Sequence, residues 1–149
     1  MQKRIRNKVL IIPYTSNNDI LLVKDRDTSE WGFISGGVKL KENAYIAACR
    51  ELREETSNVL TKIEDLGFKR HAIYTTYRED KKSKNDKHKK IVSHYTIFFF
   101  MIDKGNINLQ QFVPNKEVTK ICIDKLENMD IQWNFCKLLN NELISHILK

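Results

Sequence analysis

Three glutamates, Glu51, Glu54 and Glu55, stand at i, i+3 and i+4 in a stretch of good helix formers. On an α-helix turning about 100° per residue they share one stripe about 100° wide. Like charges so placed destabilise an isolated helix by about 0.2–0.5 kcal/mol per pair, so the cluster invites a compensating cation. A hard divalent ion held by oxygen ligands would supply it. The opposite side of the wheel carries Tyr45, Cys49, Leu52 and Thr56, which are expected to pack inward. Ala44, Ala47 and Ala48 keep the flank of the glutamate stripe small, and bulky phosphates are expected to approach there. Just upstream, Gly36 and Gly37 permit close backbone approach, and the carbonyls of such a turn can join a metal's coordination shell.

The elements that must hold this stripe follow from patterning. Val9 to Tyr14 and Ile20 to Lys24 are β-rich runs split by Thr15-Ser16-Asn17-Asn18-Asp19, which predicts a hairpin. Trp31 to Ile34 predicts a short strand running into the Ser35-Gly36-Gly37 turn, and Glu42 to about Thr56 predicts the helix. Two long β-prone segments, Leu66 to Tyr77 and Ile91 to Ile102, flank a polar stretch from Arg78 to Lys90 that reads as an exposed loop. Asp103 to Asn106 reads as a turn and Val118 to Ile123 as a half-buried strand, after which Asp124 is placed to cap a helix. An amphipathic helix is expected from Ile131 to Leu148. One α/β domain over residues 1–149, with helices on both faces of a mixed sheet, accommodates all of these.

Gly36, five residues, Glu42, seven residues, then Arg50-Glu51-Leu52-Arg53-Glu54-Glu55 resembles the Nudix box, without a gap. Trp31 to Gly36 looks like the strand and glycine turn that precede that box, and the likeness is strongest over residues 31–58. Ser57 replaces the box's final glycine, Asn58 its last apolar residue, Ile34 the common proline and Ser35 the first of the paired glycines. Lys39 and Lys41 stand where acidic and glycine residues are frequent, which brings positive charge beside the phosphates of a substrate.

The resemblance implies a Nudix-like α/β/α sandwich around a mixed sheet and a metal-dependent pyrophosphohydrolase acting on a nucleoside diphosphate linked to another group. In that chemistry the metal neutralises phosphate oxygens, stabilises the leaving group and activates water. By position it implies that Glu54 and Glu55 ligate magnesium or manganese, that Glu51 ligates metal or acts as base, and that Gly36 lends its carbonyl. Arg50 and Glu42 become structural partners. Glu117 resembles the acidic position that some members supply from outside the box, with Glu79 and Asp80 as competitors.

The net charge of +7 favours polyanionic ligands, so a 5′-capped or 5′-triphosphorylated RNA end is the first substrate expected. Hydrolysis of pool nucleotides, dinucleoside polyphosphates or diphosphoinositol polyphosphates would use the same helix. A catalytically silent nucleotide- or RNA-binding module is the alternative of another class, and retention of all three glutamates argues against it. At 149 residues the chain is long enough to bury roughly two-thirds of its unfolded surface. With 41% hydrophobic residues and no run near the ~20 of a membrane span, it reads as soluble and cytoplasmic. Cys49, Cys122 and Cys136 show no metal-finger spacing and read as small buried hydrophobes. His71, His88, His94 and His146 form no ligand pattern, and the lysines of the Lys81 to Lys90 loop read first as a solvated connection.

Overall fold

A computed structural model describes residues 3–63, 71–80 and 90–125. Among these described residues seven strands and one α-helix run in the order β1 (Lys3–Tyr14), β2 (Ile20–Asp25), β3 (Trp31–Gly32), β4 (Ile34–Gly37), α1 (Ala44–Glu55), β5 (His71–Asp80), β6 (Lys90–Met101) and β7 (Val118–Asp124). Single-turn 3-10 helices at Lys104–Asn106 and Leu109–Gln111 connect β6 to β7. The expected C-terminal helix, the loop residues 81–89 and Cys136 lie outside the described residues. Among the described residues no helix is long and apolar enough to cross a membrane.

The sheet is mixed and forked. β1 pairs in parallel with β6 along its whole length and antiparallel with β4, while β5 lies antiparallel on β6. β2 carries β3 and β7, both antiparallel, and meets β1 at the Tyr14↔Ile20 pair of the predicted hairpin. The run from Trp31 to Ile34 is therefore two strands and not one: β3 belongs to β2, and the chain then crosses to β1 as β4. β1 begins at Lys3, well before Val9, because β6 offers it a partner at every residue. Arg78, Glu79 and Asp80 continue β5 against Ser93, Val92 and Ile91, so the loop expected from Arg78 starts later.

Period-two alternation along β1 feeds two cores. Val9 and Ile11 join Ile34, Ala47, Ala48, Leu52, Phe98 and Phe100 beneath α1, whereas Leu10, Ile12 and Tyr14 join Leu22, Phe33, Ile97 and Phe99 on the other face. Helix α1 starts at Asn43, whose side chain accepts from the Ile46 N–H at 2.8 Å as an N-cap. Leu52 is fully buried under the sheet, which stabilises the packing by about 1.5–3 kcal/mol. Ala47 and Ala48 are equally buried. Their small size brings the helix onto the sheet and leaves no room there for phosphates, contrary to the sequence reading. Tyr45 sits at the rim, 37% exposed, with its ring edge-on to Phe98 at 6.2 Å.

Candidate active site

Arg50 organises the approach to the helix. Its Nε donates to Glu42 Oε2 at 2.7 Å, and its Nη2 to Glu42 Oε1 at 2.9 Å and to the Gly37 carbonyl at 2.8 Å. The remaining nitrogen, Nη1, donates to Glu51 Oε1 at 2.8 Å and to Glu54 Oε2 at 3.3 Å. Glu42 also accepts from the Lys39 N–H at 2.9 Å. These bonds, the Arg50 one foremost, hold its carboxyl down at about 2, and Glu42 in turn holds the guanidinium proton more tightly than usual.

Beside this pair lies a group that Arg50 compensates only in part, through Glu51. Oxygens of Glu51, Glu55 and Glu117 lie within 4.8 Å of one another. Glu51 is 6% exposed and Glu55 7% exposed, one helical turn apart on α1, while Glu117 reaches in from the exposed turn before β7. Glu55 is oriented by the Ser35 N–H, which donates to its Oε2 at 3.0 Å. Burial pushes the Glu51 carboxyl up despite the pull of Arg50. Glu55 is pushed well up, by burial first and then by the charges of Glu51 and Glu117. A Cβ at Gly36 would overlap the Glu51 carboxylate, so glycine is what lets β4 lie against this group.

The sequence-predicted residues thus divide. Glu51, Glu55 and Gly36 come together, and Glu117 joins them. Glu54 stays at the rim, its side chain 52% exposed and turned to Arg50. By register, Glu79 and Asp80 are separated from β4 by two intervening strands and lie beyond its end: Gly36 stands opposite Val9 of β1, whereas Glu79 stands opposite Val92 of β6, which faces Ile5 of β1. Lys39 and Lys41 are exposed on the loop between β4 and α1, Lys41 at φ 71°.

The helix exit accounts for both departures from the box. The Asn58 N–H donates to the Arg53 carbonyl at 2.8 Å and the Ser57 N–H to the Glu54 carbonyl at 3.4 Å, the paired bonds of a Schellman cap. Ser57 and Asn58 have φ of 51° and 65°, the left-handed region that glycine usually serves. Sequence reasoning missed Asn115, which ties this exit to the turn bearing Glu117. Its signal was present in Pro114-Asn115, turn formers placed just ahead of a strand. Also missed was a cavity of about 250 Å³ beside Glu55, lined by Val23, Phe33 and Val118 and edged by Asp25, Thr28 and Glu30.

An all-oxygen donor set of crowded, largely buried carboxylates fits a hard divalent cation such as magnesium or manganese, which would relieve their mutual repulsion. The family model of the NUDIX domain matches residues 4–136. The chain belongs to the NUDIX domain family. As a Nudix hydrolase it sits in a pyrophosphohydrolase superfamily whose members generally use divalent metals. No curated protein matches it by sequence. In three dimensions this NUDIX domain is similar to the Escherichia coli dihydroneopterin triphosphate pyrophosphohydrolase, at a TM-score of 0.64 and 15% identity over 97% of this chain and 99% of that one. It is also similar to the Caenorhabditis elegans Ap4A hydrolase, with a TM-score of 0.61 and 16% identity over 97% and 99%. The NUDIX domain of Shewanella oneidensis NrtR, complexed with ADP ribose, gives 0.63 and 11% over 100% and 90%. These likenesses concern the fold.

Proposed function

We propose that this Nudix hydrolase cleaves the phosphoric anhydride of a nucleoside diphosphate linked to another group, at a divalent-metal site built on Glu51, Glu55 and Glu117. The observation that carries the reading is the convergence of three carboxylates within 4.8 Å, two of them buried, with no cationic side chain closing the group on the Glu55 side among the described residues. A bound divalent cation would supply charge neutralisation at the phosphates and a more acidic water. Gly36 lets β4 approach closely enough to offer its carbonyl, and Ser35 orients Glu55 through the backbone. Arg50 fixes the Glu51 carboxylate by one oxygen, leaving the other to take a proton from the attacking water. Glu54, at the rim beside Arg50, supplies a further carboxylate toward the phosphates, and Lys39 and Lys41 add positive charge on the adjoining loop.

The cavity beside Glu55, at about 250 Å³, is smaller than the ~300 Å³ at which ligand pockets begin and has room for no more than part of a single nucleotide. The similar folds support this reading: a dihydroneopterin triphosphate pyrophosphohydrolase, an Ap4A hydrolase and a NUDIX domain complexed with ADP ribose. Free nucleoside polyphosphates are accordingly the substrates favoured. A capped or triphosphorylated RNA end is the second reading, favoured by the net charge of +7.

The test is product analysis over a panel of nucleoside triphosphates, dinucleoside polyphosphates, ADP ribose, diphosphoinositols and capped or triphosphorylated RNA, with magnesium or manganese, at low and high salt. Metal-dependent anhydride cleavage that Glu55→Gln removes is the expected result; equal turnover by that variant refutes the site. A KM for RNA that rises steeply with salt while mononucleotides respond weakly moves the substrate to RNA ends.

A further inference from the structure

The carboxylate group is assembled from two pieces of chain that share no secondary-structure element. Glu51 and Glu55 are fixed on α1, but Glu117 is exposed and sits on a turn, where its place depends on what holds that turn to the helix. Asn115 does so with both ends of its amide. Its two Nδ2 hydrogens are shared among three acceptors, the Ser57 hydroxyl oxygen and the carbonyls of Glu54 at 3.0 Å and Glu55 at 3.2 Å, the latter two being acceptors at the helix C-terminus. Its Oδ1 accepts from the N–H groups of Glu117 at 3.0 Å and Val118 at 2.9 Å. Carbonyls only accept and N–H groups only donate, so the amide orientation is fixed by its partners. One side chain therefore joins the backbone of Glu55 to the backbone of Glu117.

Ser57 completes the link. Its hydroxyl donates to the Val113 carbonyl and accepts from Asn115 Nδ2 at 3.0 Å. Serine holds here a left-handed φ of 51° that disfavours any side chain, at the position where the box has glycine. What it gains over glycine is this pair of bonds to the turn. The other flank of the turn is held by the β2–β3 loop, through the Arg26 N–H on the Glu117 carbonyl at 2.8 Å and Arg26 Nε on the Asn115 carbonyl at 2.9 Å.

We propose that Asn115, with Ser57, is a positioning brace that sets Glu117 against Glu51 and Glu55, so that the affinity of the site for a divalent cation depends on the link between helix exit and turn. This rests on the metal site of the preceding section. Asn115 touches no reacting group; it acts through Glu117.

The test is Mn2+ binding to the substrate-free full chain, read from the free-ion electron paramagnetic resonance signal, with the Tm measured alongside in chelator. Asn115→Ser keeps an oxygen for the turn and loses the reach to the helix, and is expected to weaken Mn2+ binding about 10-fold, the low end of what such supporting residues cost. Ser57→Gly, whose backbone accepts the left-handed φ, is expected to fold with an unchanged or higher Tm and still to weaken binding about 3-fold, below that same range. Combining Asn115→Ser with Glu117→Gln is expected to lose no more affinity than Glu117→Gln alone. Wild-type affinity in both Asn115→Ser and Ser57→Gly, or a full additive loss in the double variant, overturns the brace. Glu55→Gln separates the two readings: if it binds Mn2+ as well as wild type, the metal site itself fails, whereas if it loses binding while the brace variants do not, only the brace fails.

Discussion

Two charged groups lie side by side along α1, and Arg50 divides them. On one side Glu42 is met by Arg50 through two bonds and by the Lys39 backbone, and its carboxyl is held down at about 2. On the other, Glu51, Glu55 and Glu117 crowd together with one guanidinium nitrogen among them, and burial pushes Glu51 and Glu55 up. The first group is complete within the protein and shapes the loop before the helix. The second sets three carboxyls against that one shared nitrogen, which is the imbalance that the proposed cation would relieve. The same residue type is structural where its partner is built in and, on the proposed reading, functional where it is not.

The sharpest way to break this contrast is to remove charge from the second group alone. Glu55→Gln is expected to lower metal-dependent turnover on the order of 10³-fold with little loss of folding stability, measured by initial rates and by Tm in chelator. Next in size is the metal itself. Mn2+ at about 100 times its Kd should stabilise the wild-type chain by about 2.7 kcal/mol, read as a rise in Tm that Glu55→Gln lacks. Arg50→Lys keeps the charge but loses the fork that serves Glu42, Gly37 and Glu51 together. It should cost about 1.5–3 kcal/mol in denaturant unfolding.

The smallest effect, and the one that reads both groups at once, is the pH dependence of stability without metal. Glu42 has a folded value near 2, below its ordinary 4.5, so its contribution is present above 4.5 and is lost as pH falls toward 2. Glu51 and Glu55 have folded values above 4.5, so above that pH the folded chain binds more protons than the unfolded one. Stability is then lost as pH rises through those raised values. A Tm profile in chelator should fall on both sides of the 4.5 region, with Glu42→Gln flattening the acid limb and Glu55→Gln the alkaline one. A profile indifferent to both substitutions would dissolve the contrast.

The helix and its charge pattern were legible in the sequence because spacing along a helix is local: Glu51 and Glu55 at i, i+4 and a capped start near Glu42 need no tertiary information. Glu117 was found by resemblance, and its arrival beside Glu55 depends on β7 pairing with β2. What the sequence hid was set by partners. Arg78 to Asp80 read as loop by polarity, yet β6 supplies them with a ladder. Trp31 to Ile34 read as one strand, yet the fork of the sheet divides it. Ala47 and Ala48 read as a cleared flank, yet the sheet lies on them. Pro114-Asn115 could be read as a turn, but the role of Asn115 as a tie between that turn and the helix shows only in its five side-chain partners.

The parallel ladder between β1 and β6 bears on how the molecule comes into being. Lys3 to Tyr14 cannot pair along this ladder until Lys90 to Met101 has been made, and β1 is also the strand that holds β4 and Gly36. Pairings so distant in sequence close late and slowly. During synthesis, α1 with its glutamates leaves the ribosome long before its seat on the sheet exists, and Glu117 follows later still. On the proposed reading, competence to capture a cation therefore arises as a last event of folding, and a nascent or truncated chain ending before residue 117 would carry the box without its third carboxylate.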